Sequence, residues 1–122
     1  MEKTAKNVFF ELLRIGLWNK KPDTDLPKLN TAQWEKIYTW AQQQTVEGIL
    51  FESFALLSEN NLPPREIRIK WAVRVDQIER YNKQMNKLIS SQYQNFISLH
   101  LKPILLKGQG VANCYQNPLR RV

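Results

Sequence analysis

The sequence predicts a mainly α protein: a helical bundle around one long helix, followed by the first strand and short helix of an α/β domain left incomplete. Three observations carry this. Residues 65–99 contain neither Pro nor Gly and keep apolar residues at spacings near three and four, the period of one helix face. Upstream, three shorter amphipathic stretches are separated by breaks rich in Pro and Asn. Downstream, Pro103 opens a short apolar run, Ile104-Leu105-Leu106, that stops at Lys107-Gly108 before a helix-length stretch with Val111, Ala112 and Tyr115. That order reads as buried strand, Gly turn and short helix. A lone strand cannot satisfy its own backbone groups, so partner strands are implied, and none follows before Val122. The expected organisation is a helical domain over 1–101 and the start of a second domain over 102–122.

The elements follow in order. A first helix spans Thr4 to about Trp18, with Val8, Phe9, Leu12, Leu13 and Ile15 inward and Gly16 near its end. Asn19 to Leu29 is a loop holding Pro22, Asp23, Asp25 and Pro27. Asn30 or Thr31 caps a second helix running to about Thr45, with Asn30 and Gln33 spaced as a capping box. Its stripe is Trp34, Ile37, Tyr38 and Ala41. A third helix covers Val46 to about Glu59, using Ile49, Leu50, Phe54 and Leu57, and is stopped by Asn60-Asn61-Leu62-Pro63-Pro64. Pro64 suits the start of the long helix. Ile67, Trp71, Val75, Ile78, Met85, Ile89, Phe96 and Leu99 mark the inward line of that helix, with Asn82 and Gln92 as polar interruptions and Ser90-Ser91 as a candidate break.

Charge is unevenly spread. The net charge is +7, yet residues 1–63 hold 7 Lys/Arg against 8 Asp/Glu, whereas residues 64–122 hold 11 against 3. A basic half of this kind is the electrostatic footprint of a polyanion such as nucleic acid or a nucleoside triphosphate; cations solvating a helix give the same composition. No apolar run approaches the roughly 20 residues a membrane span needs, and the amphipathic start lacks a signal-peptide core. A single cysteine, Cys114, excludes an intrachain disulfide and suits a reducing compartment. A cytoplasmic protein without a membrane segment is expected.

Leu105-Leu106-Lys107-Gly108, the small Ala112, then Tyr115, Pro118 and Arg120 resemble the opening of an uncharacterised family of nucleotidyltransferases of the polymerase-beta type. Gly48-Ile49-Leu50-Phe51 resembles a short upstream segment of the same family, and the long helical stretch before Pro103 has a counterpart there. The family pattern continues into Asp-x-Asp on the next strand, and that pair is missing here. The resemblance implies an NTP donor, an unidentified acceptor, and Mg²⁺ in the complete protein. It places Lys107 and Gly108 at a strand-to-helix turn facing the nucleotide and Arg120 beside the phosphate or the metal carboxylates, with Arg121 its close competitor. Physically, a Gly lets backbone amides approach phosphate, and a neighbouring Lys adds a point charge.

Nucleotidyl transfer needs paired carboxylates to hold the metal, and no Asp or Glu occurs from Tyr81 to Val122. Asp76 and Glu79 are expected in solvated i,i+4 pairs with Arg80 and Lys83. No catalytic or metal-binding residue is therefore assigned, and these 122 residues are expected to be inactive alone. His100 is the only histidine and no metal cluster surrounds it. Cys114 and the tryptophans are expected to pack as apolar groups. The expected function is the N-terminal part of a nucleotidyltransferase-like protein. The alternative is a noncatalytic basic helical module that binds nucleic acid or a protein, with homodimer formation through the strand of 104–106 as its corollary.

Overall fold

Helix α1 (Glu2–Trp18) turns Ala5, Val8, Phe9, Leu12 and Ile15 inward. The structure, a computed structural model, describes residues 2–105 and 108–122. It is mainly helical. The chain divides into two compact units, one ending at Val75 and one formed from Asp76–Arg121; the long helix α4 (Arg65–Ser98) supplies residues to both.

In the first unit, α2 (Thr31–Gln43) begins as its sequence requires. The Asn30 side chain accepts from the backbone of Gln33, and the Gln33 side chain accepts from the backbone of Asn30, so two otherwise orphaned N–H groups are satisfied. Trp34, Ile37, Tyr38 and Ala41 are all buried. Helix α3 (Glu47–Ser53) is shorter than its periodicity suggests and gives way to single 3₁₀ turns at Phe54–Leu56 and Glu59–Asn61. The tighter first turn sets the Phe54 ring edge-on to Trp71 at 4.9 Å and to Trp34 at 6.1 Å. Tertiary packing of one aromatic outweighs the local helical pattern.

Trp71 anchors this core. It is fully buried, its indole Nε1 donates to the Glu47 carbonyl at 2.9 Å, and its ring lies 5.1 Å from Tyr38. Ile67, Trp71 and Val75 of α4 join Val8, Phe9, Leu12, Ile37 and Leu50 in one apolar cluster, each such side chain contributing about 1.5–3 kcal/mol on burial. Glu47 is buried beside them. Its Oε1 meets Arg74 Nε at 3.3 Å, while Oε2 is buried with no hydrogen-bond partner. Burial pushes the Tyr38 phenol above its usual value of 10.0, with Lys70 and Arg74 pulling part of the way back.

Helix α4 is continuous through Ser90-Ser91 and about 50 Å long. Its inward line holds through Ile78, whereas Met85 and Ile89 are only half-buried, and every residue from Ser90 to Leu99 is exposed. It closes with His100 at φ 65°, His100 N–H donating to Ile97 O at 3.0 Å and Leu101 N–H to Phe96 O at 2.9 Å. That is a Schellman stop built on histidine where Gly is usual. The strand expected over 104–106 is not formed at Ile104 or Leu105, and Leu106 lies outside the described residues. No strand occurs among the described residues, so an extended segment there has no ladder to join. The short helix is also reduced, to α5 (Gln109–Ala112). No helix among the described residues is long and apolar enough to cross a membrane.

Gly16 lies near the end of α1, as expected, and a Cβ there would sit 2.1 Å from the Ile49 carbonyl oxygen. The obstacle is backbone, which cannot swing aside. Gly16→Ala is expected to lower stability by about 1–3 kcal/mol in urea denaturation. Because folding holds the Tyr38 proton above its unfolded pKa, the associated stability is complete below pH 10.0 and is lost as pH rises through the raised folded value. Absorbance titration at alkaline pH should show a late-ionising tyrosine that Tyr38→Phe removes.

Candidate functional site

The polar interruption in the inward line of α4 organises the second unit. Asn82 is 1 % exposed. Its Nδ2 donates to Leu119 O at 2.7 Å and to Arg121 O at 2.6 Å. Both partners are carbonyls, which fixes the orientation of the amide. One turn earlier on the same side, Glu79 Oε1 accepts from Arg120 Nε at 2.9 Å, with both side chains about three-quarters buried. One turn later, Asn86 Oδ1 accepts from Gln109 Nε2 at 2.9 Å, and the same Nε2 lies 3.4 Å from Asn82 O. Residues 79, 82 and 86 are spaced to share one helix face, so a single polar ladder grips the C-terminal turn and the start of α5.

The segments it holds are locally predisposed to their shapes. Gly108 precedes α5 with φ 59° and ψ −110°, a conformation that a Cβ makes costly. Asn117 caps the 3₁₀ turn Pro118–Arg120 by accepting from Leu119 N–H at 3.1 Å, with Pro118 in the first turn where its missing N–H costs nothing. Ala112 is buried, while Tyr115 is half-buried.

Of the residues singled out in the sequence, Gly108 is a turn residue at the start of α5, without the expected strand at Ile104 or Leu105. Lys107 lies outside the described residues. Arg120 is engaged through its Nε by Glu79. Arg121, its neighbour, places both terminal guanidinium nitrogens 3.9 Å from the point a Gly108 Cβ would occupy. Glu79 was expected to pair with Lys83 four residues on, and instead reaches Arg120 across 41 positions; Asp76 does pair with Arg80 at 2.9 Å. Cys114 is exposed rather than buried. Asn82, Asn86 and Gln109 escaped notice as site-forming residues. The visible signal was Asn82 itself, a polar residue at an inward position of an apolar stripe.

The donor set does not suit Mg²⁺. A magnesium site needs carboxylates free to face the metal and the phosphates, and the two acids of this unit, Asp76 and Glu79, are both paired with arginines. Among the described residues no group of three or more His, Cys, Asp or Glu side chains could hold a metal. Beside the Gly108 turn the unit places the Arg121 guanidinium, while its amides are engaged in the ladder.

The sequence model of a family described as uncharacterised nucleotidyltransferase matches residues 30–122. The chain belongs to this family. No curated protein and no solved structure matches it. The match covers α2, α3 and α4 as well as the Gly turn, so the helices preceding the turn are part of the nucleotidyltransferase sequence pattern.

Asn82→Ala would leave the carbonyls of Leu119 and Arg121 without their donor, a loss of about 1–3 kcal/mol where such groups are buried. Amide hydrogen exchange should speed up over residues 109–121 while protection around Ile37 and Trp71 is retained.

Proposed function

We propose that this chain is the nucleotide-facing N-terminal part of a nucleotidyltransferase that moves a nucleotidyl group from an NTP to an acceptor. The observation that carries the reading is the family match over residues 30–122, which includes the Gly turn. In this reading Lys107, Gly108 and Arg120 lie on the nucleotide side, as the family pattern implies, and the proximity of Arg121 to the Gly108 turn supports including it. Gly108 lets a phosphate oxygen approach the backbone, and Arg121 offers a planar fork of donors next to that turn. Arg120, held through Nε by Glu79, braces the segment.

The carboxylates for Mg²⁺ belong, in this proposal, to residues following 122 in a longer protein. The same continuation supplies the strand against which 104–106 would pair, making residues 102–122 the beginning of the catalytic domain and 1–101 its helical companion. The 122 residues alone are then inactive, because neither Asp76 nor Glu79 is available to a metal. A reducing cytoplasmic setting fits the lone cysteine.

The test compares this chain with a version extended through the following Asp-x-Asp. The extended chain should bind Mg²⁺-NTP in calorimetry, and both Lys107→Ala and Arg121→Ala should weaken that binding about tenfold or more, the loss expected for a charge-assisted contact worth roughly 1.5–3 kcal/mol. This chain should show neither nucleotidyl transfer nor tight NTP binding. Strong Mg²⁺-dependent transfer by the 122 residues would sink the proposal.

A further inference from the structure

In the first unit α4 carries Arg65, Arg68, Lys70 and Arg74, of which Lys70 pairs with Glu35 and Arg74 with Glu47, each at 3.3 Å. In the second unit the acids run out. Asp76 is taken by Arg80 and Glu79 by Arg120, and no further Asp or Glu occurs up to Val122. Lys83 and Lys87 are exposed, and among the described residues neither makes an ion pair.

Arg80, Lys83 and Lys87 are spaced at i, i+3 and i+7, so they line one side of α4 at intervals of about 4.5 and 6 Å along the axis. The Arg80–Asp76 pair does not remove Arg80 from this line. Both partners are largely exposed, at 78 % and 56 %, and such a pair holds only weakly. Tyr81, 62 % exposed, is turned about 100° round the helix from Arg80 and lies off this line.

We propose that this side of α4 binds the phosphate backbone of single-stranded nucleic acid. Its role as the acceptor surface of the transfer rests on the reading above, whereas the contact itself rests on the charge pattern. A cation row without intervening acids matches the repeating anion of a phosphate backbone, and a single flexible strand can follow its spacing. An amphipathic protein partner would need an apolar stripe along the same line, and Arg80, Lys83, Lys87, Ser90 and Gln94 supply none.

Fluorescence anisotropy with a labelled single-stranded RNA of mixed sequence tests this on the chain as it stands. Affinity should fall with salt at a logarithmic slope of about −2, the value for three phosphate contacts on a single strand. K83Q/K87Q should weaken binding roughly tenfold at about 50 mM salt and flatten the slope by about 1.4. K20Q/K21Q, which removes the same charge from the exposed loop of the first unit, should leave both unchanged. Equal losses in the two double variants would reduce the effect to net charge and overturn the assignment. So would absence of binding at that salt, or competition by polyglutamate as effective as by unlabelled RNA, which would point to an acidic protein. NTP binding by the extended chain is a separate measurement that these substitutions should not change, so either proposal can fail without the other.

Discussion

One buried amide holds the C-terminal segment to its helix. Asn82 gives both N–H groups to carbonyls at positions 119 and 121, and burying an amide is tolerable only when its hydrogen bonds are made. The geometry of the last residues is therefore imposed by α4 more than by their own weak preference for a 3₁₀ turn. Glu79 and Asn86 extend the same logic one turn in each direction. Because all three anchors share a rigid helix, the Gly108 turn and the Arg120-Arg121 pair have a fixed separation. A turn carried only by its own backbone would not be held in place in this way.

The two adjacent arginines illustrate how neighbouring cations acquire different work. Arg120 is directed inward, where the Glu79 carboxylate compensates its charge, while Arg121 faces the turn. A family pattern records position and not direction. Side-chain direction here depends on the capped turn at Asn117-Pro118 and on a carboxylate 41 residues upstream.

Much of the helical architecture was legible in the sequence because it rests on local signals. The Asn30–Gln33 capping box, the Trp34–Ile37–Tyr38–Ala41 stripe and the uninterrupted run from Arg65 are contiguous patterns, and each forms as written. What was not legible depends on distant contacts. The early end of α3 follows from where Phe54 meets two tryptophans, and the close approach of Ile49 to Gly16 has no local signal. The inward line predicted for α4 failed at Phe96 and Leu99 because periodicity reports amphipathicity and cannot report whether a partner covers the apolar side. The ladder at 79, 82 and 86 was half visible: its polar residues stood out, but nothing local indicated that they would bind residues 109, 119, 120 and 121.

The exposed stretch at the end of α4 has a consequence for handling the protein. Tyr93, Phe96, Ile97, Leu99, Leu101, Ile104 and Leu105 all show large apolar side chains to solvent within the second unit. Single exposed apolar residues are unremarkable, but a run of them is an adhesive surface. Lys83, Lys87 and Lys102 supply the opposing force, because like-charged molecules repel at low ionic strength and do so less as salt screens them. Colloidal behaviour is then set by a contest between a sticky segment and a repulsive one on the same unit, and salt, so often added to keep basic proteins in solution, works here against dispersion.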